Sequence, residues 1–375
     1  MNKKRIRLLD ILRGFAIVGT LGTNIWIFAH LGDLSYITTY GYSSWWSLED
    51  FLRMLILFLV NGKLLGLLTI MFGVGLELKY RQSLRKGQPW PTMYIWSSAI
   101  LITEGFIHFL LVMEYDILMS YGVTAIIVSF IIKGGDVIIS NTMKIIGSIH
   151  IIFILFLLVV GILGANMSLG SFYEVTLLYK SGTWIEQIQY RLDNVLLLRS
   201  EAILVIPMNI FLFLLGIRFM RSGVFAPDEN GKQKRKKLFH IGLYIGVPLN
   251  MLIFIPGGAF DLPVRYLFAP LLSLGYLALI ARMVEKNQGL WLWKYLEQIG
   301  KMSLSCYVTQ NIIASCIFYG WGLGLGGNVN SLTIILIWIL ISCFLMIFSS
   351  FWLQHFKQGP MESIRRYTAA NIMQR

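Results

Sequence analysis

Ten apolar runs, each near the length needed to cross a bilayer, constrain this chain more than any other feature. A helix spanning the hydrocarbon core takes about 20 mostly apolar residues. Such runs occupy approximately residues 11–29, 51–77, 93–113, 116–133, 144–165, 202–220, 239–256, 263–282, 301–320 and 332–353. The second is long and contains Asn61-Gly62-Lys63, which predicts a break or a strong tilt. Composition agrees, with 56% hydrophobic and 14% charged residues against roughly 45–50% and about 25% in soluble domains. A chain of 375 residues cannot bury that much apolar surface in a soluble fold. A soluble two-domain enzyme, a disordered chain and a disulfide scaffold are therefore excluded. The expected fold is all-α, a polytopic membrane bundle of about ten helices forming one domain over residues 1–375.

The positions of the basic residues orient the bundle. Inner loops of membrane proteins carry excess Lys and Arg. With the N-terminus inside, 25 of the 32 Lys and Arg fall on inner segments and 4 on outer ones. The outer four are Lys180, Arg191, Arg199 and Arg265, while Arg13, Arg53 and Lys63 sit in spans or at their ends. Both termini are therefore expected on the cytoplasmic side. The net charge of +13 therefore does not imply nucleic acid. The basic run at 232–237 in the inner loop 228–237 reads as attraction to anionic inner-leaflet lipid, with membrane lipid as partner. The start, Met1-Asn2-Lys3-Lys4-Arg5 before an apolar run, resembles a signal peptide. Asp10 and Arg13 interrupt that run and no small-x-small site follows, so the segment is read as a retained helix.

Ionisable residues inside a membrane are costly, so each is a functional candidate. In the first span Asp10 and Arg13 are three apart and can pair. Arg13 and Asn24 are eleven apart, about three turns, and share a face. The small residues between them, among them Gly14, Gly19 and Gly22, permit either close packing or a narrow ligand path. His30 follows at the outer end. Lys63 lies near mid-membrane, where an ammonium needs a carboxylate, a carbonyl or water. In the third span Glu104 and His108 are four apart on one face, and Asp116 and Tyr121 open the next. A carboxylate beside an imidazole orients it and raises its basicity, the arrangement of a His general base; a hydrogen-bonded pair pinning the hairpin is the plainer alternative. The ninth span carries Ser303, Ser305, Tyr307, Gln310 and Asn311, a polar face that lines a cavity or binds neighbouring helices.

The segment 166–200 is the longest outer loop, and its stretch around Trp184–Leu192 has a helical rhythm suited to lying on the surface or capping a cavity. Residues 11–165 hold the candidate site, 202–353 the later helices and 354–375 a cytoplasmic tail. Cys306, Cys316 and Cys343 have no metal-ligand spacing and are read as packing thiols. No phosphate loop, zinc spacing or haem ligand pair occurs, so no metal is expected.

These residues resemble a family. Arg7-x-x-Asp10-x-x-Arg13-Gly14-Phe15-Ala16 followed by Asn24, Gly62-Lys63 leading into Met71-Phe72-Gly73-Val74-Gly75, and His108 followed by Asp116-Ile117-Leu118 and Tyr121-Gly122 look like YeiB-like membrane proteins of the domain-of-unknown-function 418 family. Gly300-Lys301-Met302-Ser303-Leu304-Ser305-Cys306-Tyr307, Phe318-Tyr319-Gly320 and Gly359-Pro360-Met361-Glu362 continue the likeness nearly end to end. That family is similar to a wider superfamily of transmembrane acyltransferases, including heparan-glucosaminide N-acetyltransferase and the acyltransferase-3 enzymes. These carry an acyl group from cytoplasmic acyl-CoA to an acceptor across the membrane. The heparan enzyme's first helix also has an Asn eleven residues after its Arg, as Asn24 stands here, and a His in the following outer segment that His30 matches at shorter spacing. The acyltransferase-3 enzymes place a His where Asn24 stands, so their mechanism does not carry over directly.

The resemblance implies acyl transfer in a bacterial plasma membrane. Arg13 and Lys63 would hold the phosphates or pantetheine arm of an acyl-CoA donor. Asn24 would hold the acyl carbonyl or its oxyanion, and His30 or His108 would take a proton from a small-molecule or glycan acceptor. Asp116 or Glu104 would orient the base, with Asp10 and Tyr121 in supporting roles. Two other readings use the same residues: a proton-coupled exporter of a small amphiphile, relayed through Glu104, His108 and Asp116, and a non-catalytic scaffold. Donor dependence separates them, because only the first makes a covalent product.

Overall fold

The computed structural model describes residues 6–39, 47–163 and 172–374. Among these every regular element is helical. The N-terminal half comprises α1 (Arg7–Ala29), α2 (Leu48–Val60), α3 (Lys63–Arg85), α4 (Thr92–Leu111), α5 (Leu118–Ile131) and α6 (Gly135–Ile162). An outer segment carries α7 (Tyr173–Ser181) and α8 (Trp184–Asp193). Then come α9 (Ala202–Ser222), α10 (Glu229–Phe254), α11 (Asp261–Lys286), α12 (Trp291–Lys301), α13 (Ser303–Phe318), α14 (Ser331–His355) and α15 (Pro360–Gln374).

Eight helical runs are long and apolar enough to cross a membrane. One of them, Leu118–Ile162, has 45 residues, roughly 68 Å of helix against a hydrocarbon core of about 30 Å. It breaks before α6, where Gly135 takes a φ of 73°. Both α5 and α6 pack on α9, so the run folds back and crosses twice. The shorter apolar α13 is enclosed by α1, α14 and α15. With these the described residues make ten crossings, the polytopic bundle that the apolar runs predict.

The break expected at Asn61-Gly62-Lys63 separates α2 from α3, and Gly62 takes the left-handed conformation there, with φ 76°. The Lys63 side chain is fully buried. Its ammonium lies 3.5 Å from the Leu57 carbonyl oxygen and 5.8 Å from the Phe58 ring centre. The end of α2 thus meets a positive charge, which suits the exposed carbonyls of a helix C-terminus. Arg53 of α2 stacks over Tyr36 beyond the outer end of α1, while Arg13 at the inner end of α1 donates to Met71 O of α3 at 3.4 Å. The broken pair therefore runs once across the membrane, from outer to inner.

The glycines of α1 form a packing seam and not a ligand path. A Cβ at Gly14 would lie 1.9 Å from Leu296 O, and one at Gly300 1.8 Å from Asp10 O, so α1 and the amphipathic α12 cross backbone to backbone. Gly19 seats Leu64 and Gly22 seats Trp338 in the same way. On the inner face Arg221 bridges Glu77 at 3.0 Å and Asp136 at 2.7 Å, and Arg235 pairs with Glu285. The basic residues Lys3, Lys4, Arg5 and Arg375 lie outside the described residues.

The outer segment caps the bundle; its opening, through residue 171, lies outside the described residues. Arg191 of α8 is fully buried. It donates to Leu110 O at 2.8 Å and Val112 O at 3.3 Å at the end of α4, and it meets Glu114 at 3.4 Å and the Tyr179 hydroxyl at 3.1 Å. The tail is also docked. Glu362 of α15 accepts from Leu304 N at 2.8 Å, Ser305 N at 3.3 Å and Ser305 Oγ at 2.5 Å, capping the N-terminus of α13. The helix α15 packs against α4 as well.

The crossing of α1 and α12 gives a stability test. Gly300→Ala forces a methyl into the Asp10 carbonyl, which sits on backbone and cannot step aside. A cost of about 1–3 kcal/mol is expected from such overpacking. Thermal unfolding in detergent should show a lowered midpoint for Gly300→Ala and none for Gly289→Ala, where a Cβ meets nothing within 4 Å.

Candidate functional site

One face of α1 organises the polar interior. Arg13, Ile17, Thr20, Asn24 and Ile27 recur at steps of four and three, so they form one ridge. Arg13 and Ile17 line an inner chamber of about 240 Å³. Thr20, Asn24 and Ile27 line an outer pocket of about 60 Å³. The inner chamber continues into a wider mouth of about 580 Å³, with which it shares Lys79, Tyr94, Ser97, Glu362 and Arg365. The outer pocket is bordered by Asn61, Asp116, Arg199, Glu201 and Arg265. Arg265 pairs with Glu201 at 3.1 Å.

The two spaces lie end to end. Ile117 borders both. On α1 the border passes between Ile17 and Thr20 and on α3 between Leu65 and Leu68, while the start of α5 touches both spaces, with Ser120 on the outer pocket and Leu118 and Tyr121 on the inner chamber. Three residues of helix rise about 4.5 Å, so a layer of roughly one turn separates them. Tyr121 is fixed in this layer. Its hydroxyl lies 2.9 Å from the Thr69 hydroxyl and 3.3 Å from Leu65 O.

His108 and Asp116 stand beside that layer. His108 Nδ1 lies 2.9 Å from one carboxylate oxygen of Asp116, and both side chains are almost wholly buried. The other oxygen accepts from Leu118 N at 2.8 Å and Met119 N at 3.2 Å, capping α5. Gly105 makes room, since a Cβ there would lie 2.8 Å from that oxygen. With Nδ1–H donating to Asp116, the lone pair is on Nε2, which faces the Asn311 amide at 3.4 Å. Tyr307 of α13 packs on the imidazole with ring centres 5.3 Å apart and also lines the inner chamber. Arg199 from the outer segment donates to Asp116 O at 2.7 Å and to Ser120 Oγ at 3.2 Å.

The structure therefore joins some candidates and separates others. Asn24 and Asp116 line the outer pocket and Arg13 and Tyr121 the inner chamber, while His108 lines neither and is held behind them by Asp116 and Tyr307. Asp10 holds Arg13 at 3.5 Å. Lys63 lies apart from both spaces, bound to the helix break. Glu104 makes no hydrogen bond to His108, because Asp116 already takes Nδ1; its two carboxylate oxygens are buried without hydrogen-bond partners among the described residues. His30 lines a separate outer vestibule with Asp33, Asp50 and Arg53, stacked on Tyr36 with ring centres 3.4 Å apart. The site is not confined to residues 11–165. Arg199, Arg265, Tyr307, Asn311 and Arg365 come from later segments; the polarity of the ninth span signalled Tyr307 and Asn311, Arg199 and Arg265 stood out only as basic residues on the outer side, and nothing marked Arg365. That polar face both binds and lines: Gln310 donates to Thr20 Oγ1 at 3.4 Å, while Ser303 and Tyr307 face the chamber.

Residues 219–371 match the model of a family described as a protein of unknown function, DUF418. The chain is 26% identical over 390 aligned positions to the uncharacterised protein YxaH of Bacillus subtilis, covering 98% of this chain and 94% of that protein. It is 25% identical over 387 positions to the uncharacterised protein YeiB of Escherichia coli, covering 96% and 94%. An uncharacterised 39.9 kDa protein encoded in the amylase 3′ region of Bacillus acidopullulyticus is 22% identical, covering 98% and 94%. The chain is thus similar to YxaH and YeiB along nearly its whole length, in line with the resemblance its motifs carry.

The outer vestibule has its own pH response. Burial, with Arg53 adding to it, pushes the His30 imidazole down from 6.5 to about 3. The ring is therefore neutral in the fold at neutral pH and a weak base. An unfolded chain binds that proton near 6.5, so the stability that the neutral ring contributes is complete above pH 6.5. It is lost progressively as pH falls from there toward 3. Acidification from pH 7 to pH 4 should lower the unfolding midpoint of the wild type more than that of His30→Gln; equal losses in both would contradict this.

Proposed function

We propose that this YeiB-like chain is a plasma-membrane acyltransferase of bacteria, taking an acyl thioester from the cytoplasmic side and an acceptor hydroxyl or amine from the outer side. One observation carries the reading. A single face of α1 lines an inner chamber and an outer pocket in turn, and the His108–Asp116 pair sits beside the layer between them.

Each residue has a role in this scheme. Arg13 faces the donor in the inner chamber. His108 Nε2 takes the acceptor's proton in place of its contact with the Asn311 amide, while Asp116 holds the imidazole in the tautomer that puts the lone pair on Nε2 and stabilises the imidazolium. The acceptor oxygen or nitrogen bonds to the acyl carbon, and Asn24 donates to the oxyanion from the outer pocket. The carbon–sulfur bond breaks, and the departing thiolate receives the proton from His108. His30 is set aside as the base, because its ring is stacked in another vestibule and binds protons weakly. Acyl-CoA is the donor that fits a basic chamber open to the cytoplasm.

A proton-coupled exporter is favoured by one observation of its own. Glu104, a buried carboxyl without a hydrogen-bond partner, lies one turn from His108, as a proton relay requires. The two readings part in the assay. Purified protein in liposomes, given acetyl-CoA as probe and an extract of bacterial envelope lipids and glycans, should release free thiol. His108→Ala should lower the rate about 10²–10⁴-fold, the usual share of a general base, and Asn24→Ala should lower it as well with the unfolding midpoint unchanged. Full activity in His108→Ala would remove the assignment. Substrate flux driven by a pH gradient, with no covalent product, would establish the exporter instead.

A further inference from the structure

The basic side chains around the inner chamber are not equally neutralised. Arg13 pairs with Asp10 at 3.5 Å and Lys301 with Glu297 at 2.5 Å. Lys79 and Arg365 have no ion pair among the described residues. Lys79 lies 5.2 Å from the ring centre of Tyr94, and the like charges of Arg13 and Arg365 act on it. Glu362 is the carboxylate lining the chamber, engaged by the amides of Leu304 and Ser305 and the Ser305 hydroxyl. The charge of Arg365 also acts on Glu104, yet neither carboxylate forms an ion pair with Lys79 or Arg365 among the described residues. The Lys79 side chain is accessible, yet what it faces is the chamber and its mouth. Cations gathered in a partly enclosed, low-dielectric space repel one another and draw in an anion.

We propose that this chamber is a binding site for a phosphate-bearing ligand arriving from the cytoplasmic side, gripped between Lys79 of α3 and Arg365 of α15. The guanidinium offers a planar fork for phosphate oxygens and the ammonium a point charge. Chamber and mouth together have the size of an ordinary ligand pocket, about 300–1,000 Å³. At the mouth Trp90 and Tyr94 stack with centres 5.0 Å apart, an aromatic platform for a planar base. The tail helix is then a wall of the site and not a free appendage. The proposal deepens the acyltransferase reading, since it places the donor's phosphates, but the site itself stands on its charges and shape.

The test uses ligands without an acyl group. Binding of ADP and of coenzyme A to the full-length detergent-purified protein is measured by calorimetry in phosphate-free buffer. Lys79→Ala and Arg365→Ala should each weaken binding at least about tenfold, as expected for a lost charged hydrogen bond. Lys294→Ala, on the exposed side of α12, should leave it unchanged. Wild-type affinity should fall with added salt, a readout that survives if either variant fails to fold. A phospholipid headgroup shares the phosphate, so native mass spectrometry in phosphatidylglycerol nanodiscs forms a second arm. Lipid retention that depends on Lys79 and Arg365, without nucleotide binding, upholds the phosphate site with a lipid as its ligand. Absence of binding in both arms, or equal binding in wild type and both variants, overturns the proposal. Nucleotide binding without thioester turnover would sink the acyltransferase reading alone.

Discussion

Asp116 is the joint on which the interior depends. One of its oxygens takes two backbone amides at the start of α5, the other takes the His108 imidazole, and its carbonyl takes Arg199. A carboxylate cannot be carried into a bilayer unless such donors surround it. Hydrogen bonds to a charged group contribute about 1.5–3 kcal/mol each, and here they act at once on the hairpin, the ring tautomer and the outer segment. The same atoms that make the charge tolerable fix the geometry of the dyad. Gly105 is part of this bargain, because any side chain there would push the carboxylate off α4.

Much of this was legible in the residues, for a simple reason: helix spacing is local. The ridge from Arg13 to Asn24 follows from 3.6 residues per turn, and the pairing of His108 with Asp116 follows from a hairpin too short to separate them. The helix break at Asn61-Gly62 was readable from a polar triplet inside an apolar run. Lys63 shows where local reasoning stops. Its burial was evident, but the partner that satisfies it is the carbonyl end of the preceding helix, which no side-chain pattern reports. Glu104 shows the converse, since its spacing to His108 was right and a competing carboxylate had already taken the ring nitrogen. The small residues of α1 admitted two readings, and the identity of the neighbours, Leu64, Trp338 and the backbone of α12, chose the packing seam.

What the sequence hid was assembled over long distances along the chain. Lys79 and Arg365 share a cavity although nearly three hundred residues separate them. Arg199 stood out only as one of a few basic residues on the outer side, where the charge bias disfavours them. Their roles arise from tertiary packing of segments that carry no strong hydropathy signal of their own. In a membrane protein the spans are advertised by composition, whereas the pieces that close the cavities are short, polar and easily taken for loops.

The latch between Glu362 and the start of α13 separates two stages in the making of this protein. The ten crossings can be placed by the insertion machinery one after another as the chain emerges. The chamber cannot, because a wall of it is a helix translated after all of them, on the aqueous side, that must swing back and dock. Membrane insertion and completion of the inner chamber are therefore distinct events, and a bundle correctly threaded through the bilayer can still stand open at its inner end until Gly359 closes on Ser305 and the Glu362 carboxylate takes the amides of α13.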